Sequence, residues 1–65
     1  MKDETRWYRV RSMEKHILNS AAVICLNRGI KYHFDDDGIN PPAVYFYCNY
    51  SMARRIWEQL GFRVT

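Results

Sequence analysis

The stretch DDDGINPP, residues 35 to 42, constrains what this chain can fold into more than any other. Two successive prolines, Pro41 and Pro42, donate no backbone hydrogen bonds and hold a fixed φ, so neither a helix nor a central strand runs through them. Gly38 supplies a positive φ, and the aspartates suit side-chain-to-backbone turns. Before this cluster, IKYHF (30–34) alternates Ile30, Tyr32 and Phe34 with Lys31 and His33. After it, AVYFYCN (43–49) alternates Val44, Phe46 and Cys48 with Ala43, Tyr45 and Tyr47. Two runs of period two, joined by a segment that must reverse the chain, predict an antiparallel hairpin.

The flanks are nearly symmetric about that hairpin. TRWYRVR (5–11) is β-rich in residue type and predicts a first strand. Ser12 is the expected N-cap of a helix over MEKHILNSAAVICLNRG, with Glu14 in its first turn and Arg28–Gly29 at its end. Met13, Ile17, Leu18, Ala21, Ile24 and Cys25 follow helical spacing, while Val23 and Leu26 widen the stripe beyond what one sheet covers. On the other side, Asn49 or Ser51 caps a second helix whose apolar positions are Met52, Ala53, Ile56, Trp57 and Leu60. Gly61 ends it, and FRVT (62–65) predicts a short fourth strand. The expected class is therefore α+β, with the ferredoxin-like order β-α-β-β-α-β: an antiparallel sheet with two helices on one face. At 65 residues the chain forms a single domain, 1–65.

Composition narrows the rest. Hydrophobic residues make up 48% of the chain, which is a folding composition, yet 65 residues leave no room for a lobed site around a large cofactor. No cofactor and no metal are expected, since the two cysteines and two histidines show no zinc spacing. Cys25 sits in the apolar run AAVICL and Cys48 on the apolar side of its strand. Two buried free thiols in a reducing cytoplasm is the reading preferred over one disulfide. MKDETRWYRV has no apolar core of a signal peptide, and AAVICL is too short to span a bilayer, so no membrane is expected.

Strand alternation then divides the side chains. Tyr8, Val10, Ile30, Tyr32, Phe34, Val44, Phe46, Cys48, Phe62 and Val64 are expected beneath the helices. Trp7, Arg9, Arg11, Lys31, His33, Tyr45, Tyr47 and Arg63 are expected on the open face. This second set holds four fixed cations, one histidine, three large aromatics and no acid. Rings for base stacking among cations for phosphate are the chemistry of single-stranded nucleic-acid binding. Here AVYFYCNY (43–50) resembles the strand-three octapeptide of the RNA-recognition motif, with Tyr45, Tyr47 and Tyr50 at its aromatic positions. The resemblance implies base stacking on Tyr45 and Tyr47, with Trp7 matching the strand-one aromatic in place. Ala43, Val44 and Phe46 stand where that octapeptide has a basic and two small residues. The same residue types are enriched at protein interfaces. A protein complex that handles nucleic acid, nucleic acid itself and a second copy of the chain are thus the candidate partners.

No Ser/His/Asp or Cys/His arrangement suggests catalysis. SMARRIWEQLGFRVT resembles the helix-Gly-Phe-strand segment of vicinal-oxygen-chelate modules and GNAT acetyltransferases, but a glycine cap alone produces LGF. DDDG lacks the spacing of a calcium loop and reads as a solvated turn. A small chain that opens on methionine and lacks such motifs looks like the small phage and mobile-element inhibitors, including anti-CRISPR proteins. The expected function is therefore a non-enzymatic inhibitor that docks its basic, aromatic face on a host complex handling nucleic acid. A stand-alone binder of single-stranded RNA or DNA is the alternative.

Overall fold

The computed structural model describes residues 4–63. Five elements follow one another: β1 (Arg6–Arg11), α1 (Lys15–Asn27), β2 (Lys31–Asp35), β3 (Ala43–Cys48) and α2 (Tyr50–Gln59). The strands form one antiparallel sheet in the order β1-β3-β2, so the protein is α+β with a three-stranded sheet and two helices. The expected hairpin is β2–β3, and β1 lies on the far side of β3. Its turn is held by the aspartates themselves. Asp37 Oδ1 accepts from the backbone N–H groups of Ile39 and Asn40, both at 2.9 Å, and Asp36 Oδ1 accepts from Gly38 at 3.1 Å. These bonds are turn scaffolding, and they hold the Asp37 carboxyl below its ordinary range.

Both helices pack on one face of the sheet. Val10, Val44, Phe46 and Cys48 meet Leu18, Ala21 and Cys25 of α1 and Ala53 and Ile56 of α2. Phe46, at the middle of the central strand, is fully buried. Its burial is worth roughly 2–3 kcal/mol relative to exposure. Ala21 and Ala53, also fully buried, let each helix backbone approach the sheet closely. Cys25 and Cys48 are buried free thiols. Burial, and secondly the neighbouring Cys48, push the Cys25 thiol up to about 11.

The helix ends show how local chemistry sets boundaries. Ser12 is not the N-cap of α1. Its backbone N–H still bonds the Pro42 carbonyl at 3.1 Å, extending the β1–β3 ladder, and its hydroxyl accepts from Glu14 N–H at 3.0 Å. With the chain tied to the sheet there, the helix starts beyond Glu14, which occupies the cap position without a side-chain bond. Asn49 does cap α2, accepting from Met52 N–H at 2.9 Å. Both helices close on a glycine of positive φ, Gly29 at 69° and Gly61 at 98°. In each, paired bonds return to the last turn: Ile30 N–H to Cys25 and Gly29 N–H to Leu26, then Phe62 N–H to Trp57 and Gly61 N–H to Glu58.

The second of these caps bears on the predicted fourth strand. Among the described residues no fourth strand forms, and Phe62 and Arg63 are exposed; Val64 lies outside those residues. The Phe62 N–H is spent on the helix cap, where an edge strand would have offered it to β1. The Trp57 indole takes up part of that role. Its Nε1–H donates to the backbone carbonyl of Arg9 on β1 at 3.0 Å. Phe34, expected in the core, points to the helix side but remains 54% exposed, because it stands on an edge strand beside a hollow that it shares with Lys15, Leu18 and Asn19 of α1.

Candidate interaction face

The open side of the sheet is ordered in three rows, each crossing β1, β3 and β2. Trp7, Tyr47 and Lys31 form the first. Arg9, Tyr45 and His33 form the second. Arg11, Ala43 and Asp35 form the third. Alternation puts these nine side chains on the face opposite the core, since their neighbours Val10, Val44, Phe46 and Cys48 are buried beneath the helices. Seven of the eight residues expected on this face from sequence are brought together there. The eighth, Arg63, is not, because the strand that would have carried it does not form among the described residues.

The rings on this face touch in a continuous chain. Trp7 leans across β3, its centroid 5.3 Å from Tyr47 and 5.3 Å edge-on from His33. His33 in turn stacks on Tyr45 at 5.2 Å and 10°. Trp7 and Tyr47 remain 47% and 42% exposed, whereas Tyr45 is half-buried under its neighbours. Each aromatic pair adds roughly 0.5–1.5 kcal/mol beyond area burial and fixes ring positions before any partner arrives.

The cations differ in availability. Arg11 is half-buried, and its Nη1 donates to the Pro41 carbonyl at 2.6 Å, so its guanidinium clamps the β2–β3 turn. Arg9 and Lys31 carry no side-chain hydrogen bond or ion pair among the described residues. The face is not free of acid, as the sequence pattern had suggested. β2 runs one residue further than expected, and Asp35 joins the third row opposite Ala43. Tyr50, the third aromatic of the octapeptide, is not on this face. It opens α2 and lies 6.1 Å from Tyr8 and 6.4 Å from Trp57.

Two features were not foreseen from sequence. One is the Trp57 indole bond to β1, which an apolar helical position does not announce. The other is Arg28, which donates to Gln59 Oε1 at 3.2 Å and so ties the end of α1 to α2. A concavity of about 520 Å³ lies between these helices, lined in part by Ile17, Val23, Ile24 and Leu60, away from the open face. Among the described residues no three His, Cys, Asp or Glu side chains gather to hold a metal, and no helix is long and apolar enough to cross a membrane. No protein-family model, curated protein or solved structure matches this chain.

Proposed function

We propose that this chain is a binding protein with no chemistry of its own, an inhibitor of the phage or mobile-element kind, similar in size to anti-CRISPR proteins. It docks the open sheet face on a host complex that handles nucleic acid. The arrangement is read as a ferredoxin-like one whose last strand does not form among the described residues. The observation that carries the reading is the chain of rings Tyr47–Trp7–His33–Tyr45 on the face turned away from both helices, beside the unengaged cations Arg9 and Lys31. Pre-placed Trp and Tyr rings lose little entropy on binding and dominate interface energy where they occur. The cations favour a surface rich in carboxylate or phosphate, which a complex loaded with nucleic acid presents. Free thiols at Cys25 and Cys48 suit a reducing compartment such as the cytoplasm.

Affinity capture on the immobilised chain from lysate of its host tests this. One defined complex is expected, retained after nuclease treatment and lost with Tyr47→Ala or Arg9→Ala. Capture unaffected by either substitution rejects the reading. The spacing of Tyr45 and Tyr47, alternate residues of the central strand with Arg9 and Lys31 beside them, favours one second reading: direct stacking of single-stranded nucleic acid. Fluorescence anisotropy with labelled oligonucleotides separates the two. Binding that falls steeply with salt supports direct nucleic-acid contact, and its absence at low salt excludes it.

A further inference from the structure

We infer that the outer edge of β2 is a self-complementary docking edge, on which a second copy of this chain adds antiparallel to make one six-stranded sheet. This concerns the strand edge, and it shares Lys31 and His33 with the open face.

The backbone bonding pattern fixes which groups are free. Ser12 N–H bonds Pro42, so on β1 the residues in phase with it, Val10 and Tyr8, bond β3. Trp7, Arg9 and Arg11 then direct their backbone groups outward, in accord with the Arg9 carbonyl accepting from Trp57. On β3, Ala43, Tyr45 and Tyr47 turn toward β2, where they meet Asp35, His33 and Lys31. Tyr32 and Phe34 are left directing N–H and C=O away from the sheet, and no hydrogen bond reaches them among the described residues.

The two edges are not equivalent. β1 carries Arg6, Arg9 and Arg11, and the Trp57 indole occupies its central carbonyl. Self-pairing there sets cation beside cation or breaks that bond, the usual means of blunting an edge. β2 has the opposite character. Antiparallel pairing about a two-fold axis at His33 lays all five residues in register. The pairing bonds fall between Tyr32 and Phe34 of the second copy, the residues whose backbone groups are free. On the open face Lys31 then stands opposite Asp35 of the second copy, twice by symmetry. On the helix face Tyr32 stands opposite the second copy's Phe34, also twice. Opposite charges and aromatic pairs are the cross-strand combinations that stabilise a sheet.

The helix side of the same edge is apolar and uncovered. Lys15 and Asn19 border a hollow with Phe34, and helical spacing puts Ala22 and Leu26 on that same flank of α1. Phe34 is 54% and Leu26 66% exposed. The two-fold brings α1 beside α1 of the second copy along this flank, covering the apolar width that one sheet leaves open.

Sedimentation equilibrium of the full chain tests the proposal, with circular dichroism to confirm each variant folded. The wild-type chain is expected to dimerise with concentration. Lys31→Asp and Asp35→Lys each set like charges opposite one another and weaken the dimer by about tenfold. The double variant K31D/D35K exchanges the partners and restores it. Under mild oxidation His33→Cys forms an intermolecular disulfide, since the two-fold places position 33 against itself, and Lys31→Cys does not. A chain that stays monomeric at millimolar concentration overturns the proposal and leaves the edge to a strand of another protein. So does a double variant as weak as either single one, or a dimer dissolved by Tyr47→Ala but indifferent to the charge variants.

Discussion

Trp57 shows how one residue can hold a surface and close an edge at once. Its ring meets Tyr8 edge-on at 5.7 Å and Phe46 at 6.1 Å, while its N–H reaches the Arg9 carbonyl. Trp57→Phe keeps the ring contacts and deletes the donor. It should cost about 1 kcal/mol, read as a lower urea midpoint with unchanged slope. The Cys25 thiol offers a second test at this scale. Unfolded, it ionises near its ordinary 9.0; folded, burial holds it neutral up to about 11. The native state therefore keeps a proton that the unfolded chain has lost, and the associated stability, complete below pH 9.0, drains away as pH rises toward 11. Urea midpoints measured across that window should fall more steeply for the native sequence than for Cys25→Ala. Parallel curves would contradict the assignment.

The elements were legible in sequence to different degrees, for identifiable reasons. β3 and its two faces followed from alternation alone, because a strand buried on one side and open on the other cannot tolerate a one-residue slip. That Trp7, Arg9, Lys31, His33, Tyr45 and Tyr47 share one face was legible for the same reason, whereas their register into rows came only with the pairing of the strands. What escaped lay where elements end. Ser12 has the chemistry of a helix cap, but the sheet ladder claimed it first. Asp35 reads as turn, yet pairing with Ala43 drew it into β2 and put an acid on the open face. FRVT has strand composition, but the cap bond from Phe62 competes with strand pairing. The caps themselves are testable. Asn49→Ala removes the bond to Met52 N–H and should cost about 1 kcal/mol in denaturant unfolding. Gly61→Ala has open space around the added methyl, so its expected loss of about 1 kcal/mol arises from the positive φ alone. A neutral result would mean that the cap rearranges freely.

At the scale of the whole molecule, the sheet has one blunted edge and one open edge, and that asymmetry bears on stability. A chain of 65 residues buries a modest share of its surface and has a small margin over unfolding. Pairing two copies through β2 adds a free energy that depends on protein concentration, because only the folded chain presents Tyr32 and Phe34 in register. At a concentration about a hundredfold above the dissociation constant, the gain is roughly 2.7 kcal/mol. A domain this small shifts its melting temperature by about 4–8 °C per kcal/mol, so the rise should be readily measured. Calorimetric scans of the native chain over a hundredfold dilution series should therefore show Tm falling with dilution. Asp35→Lys, whose dimer is about tenfold weaker, should show a Tm that moves roughly half as far and approaches the native curve at its dilute end. K31D/D35K should recover the native dependence. Tyr47→Ala provides the contrast, since that side chain projects from the open face, 42% exposed and away from the pairing edge. It should leave the concentration dependence of Tm intact while abolishing capture of the host complex. A flat Tm in the native chain would mean that it gains no stability from a second copy, and that its margin rests on the single core around Phe46.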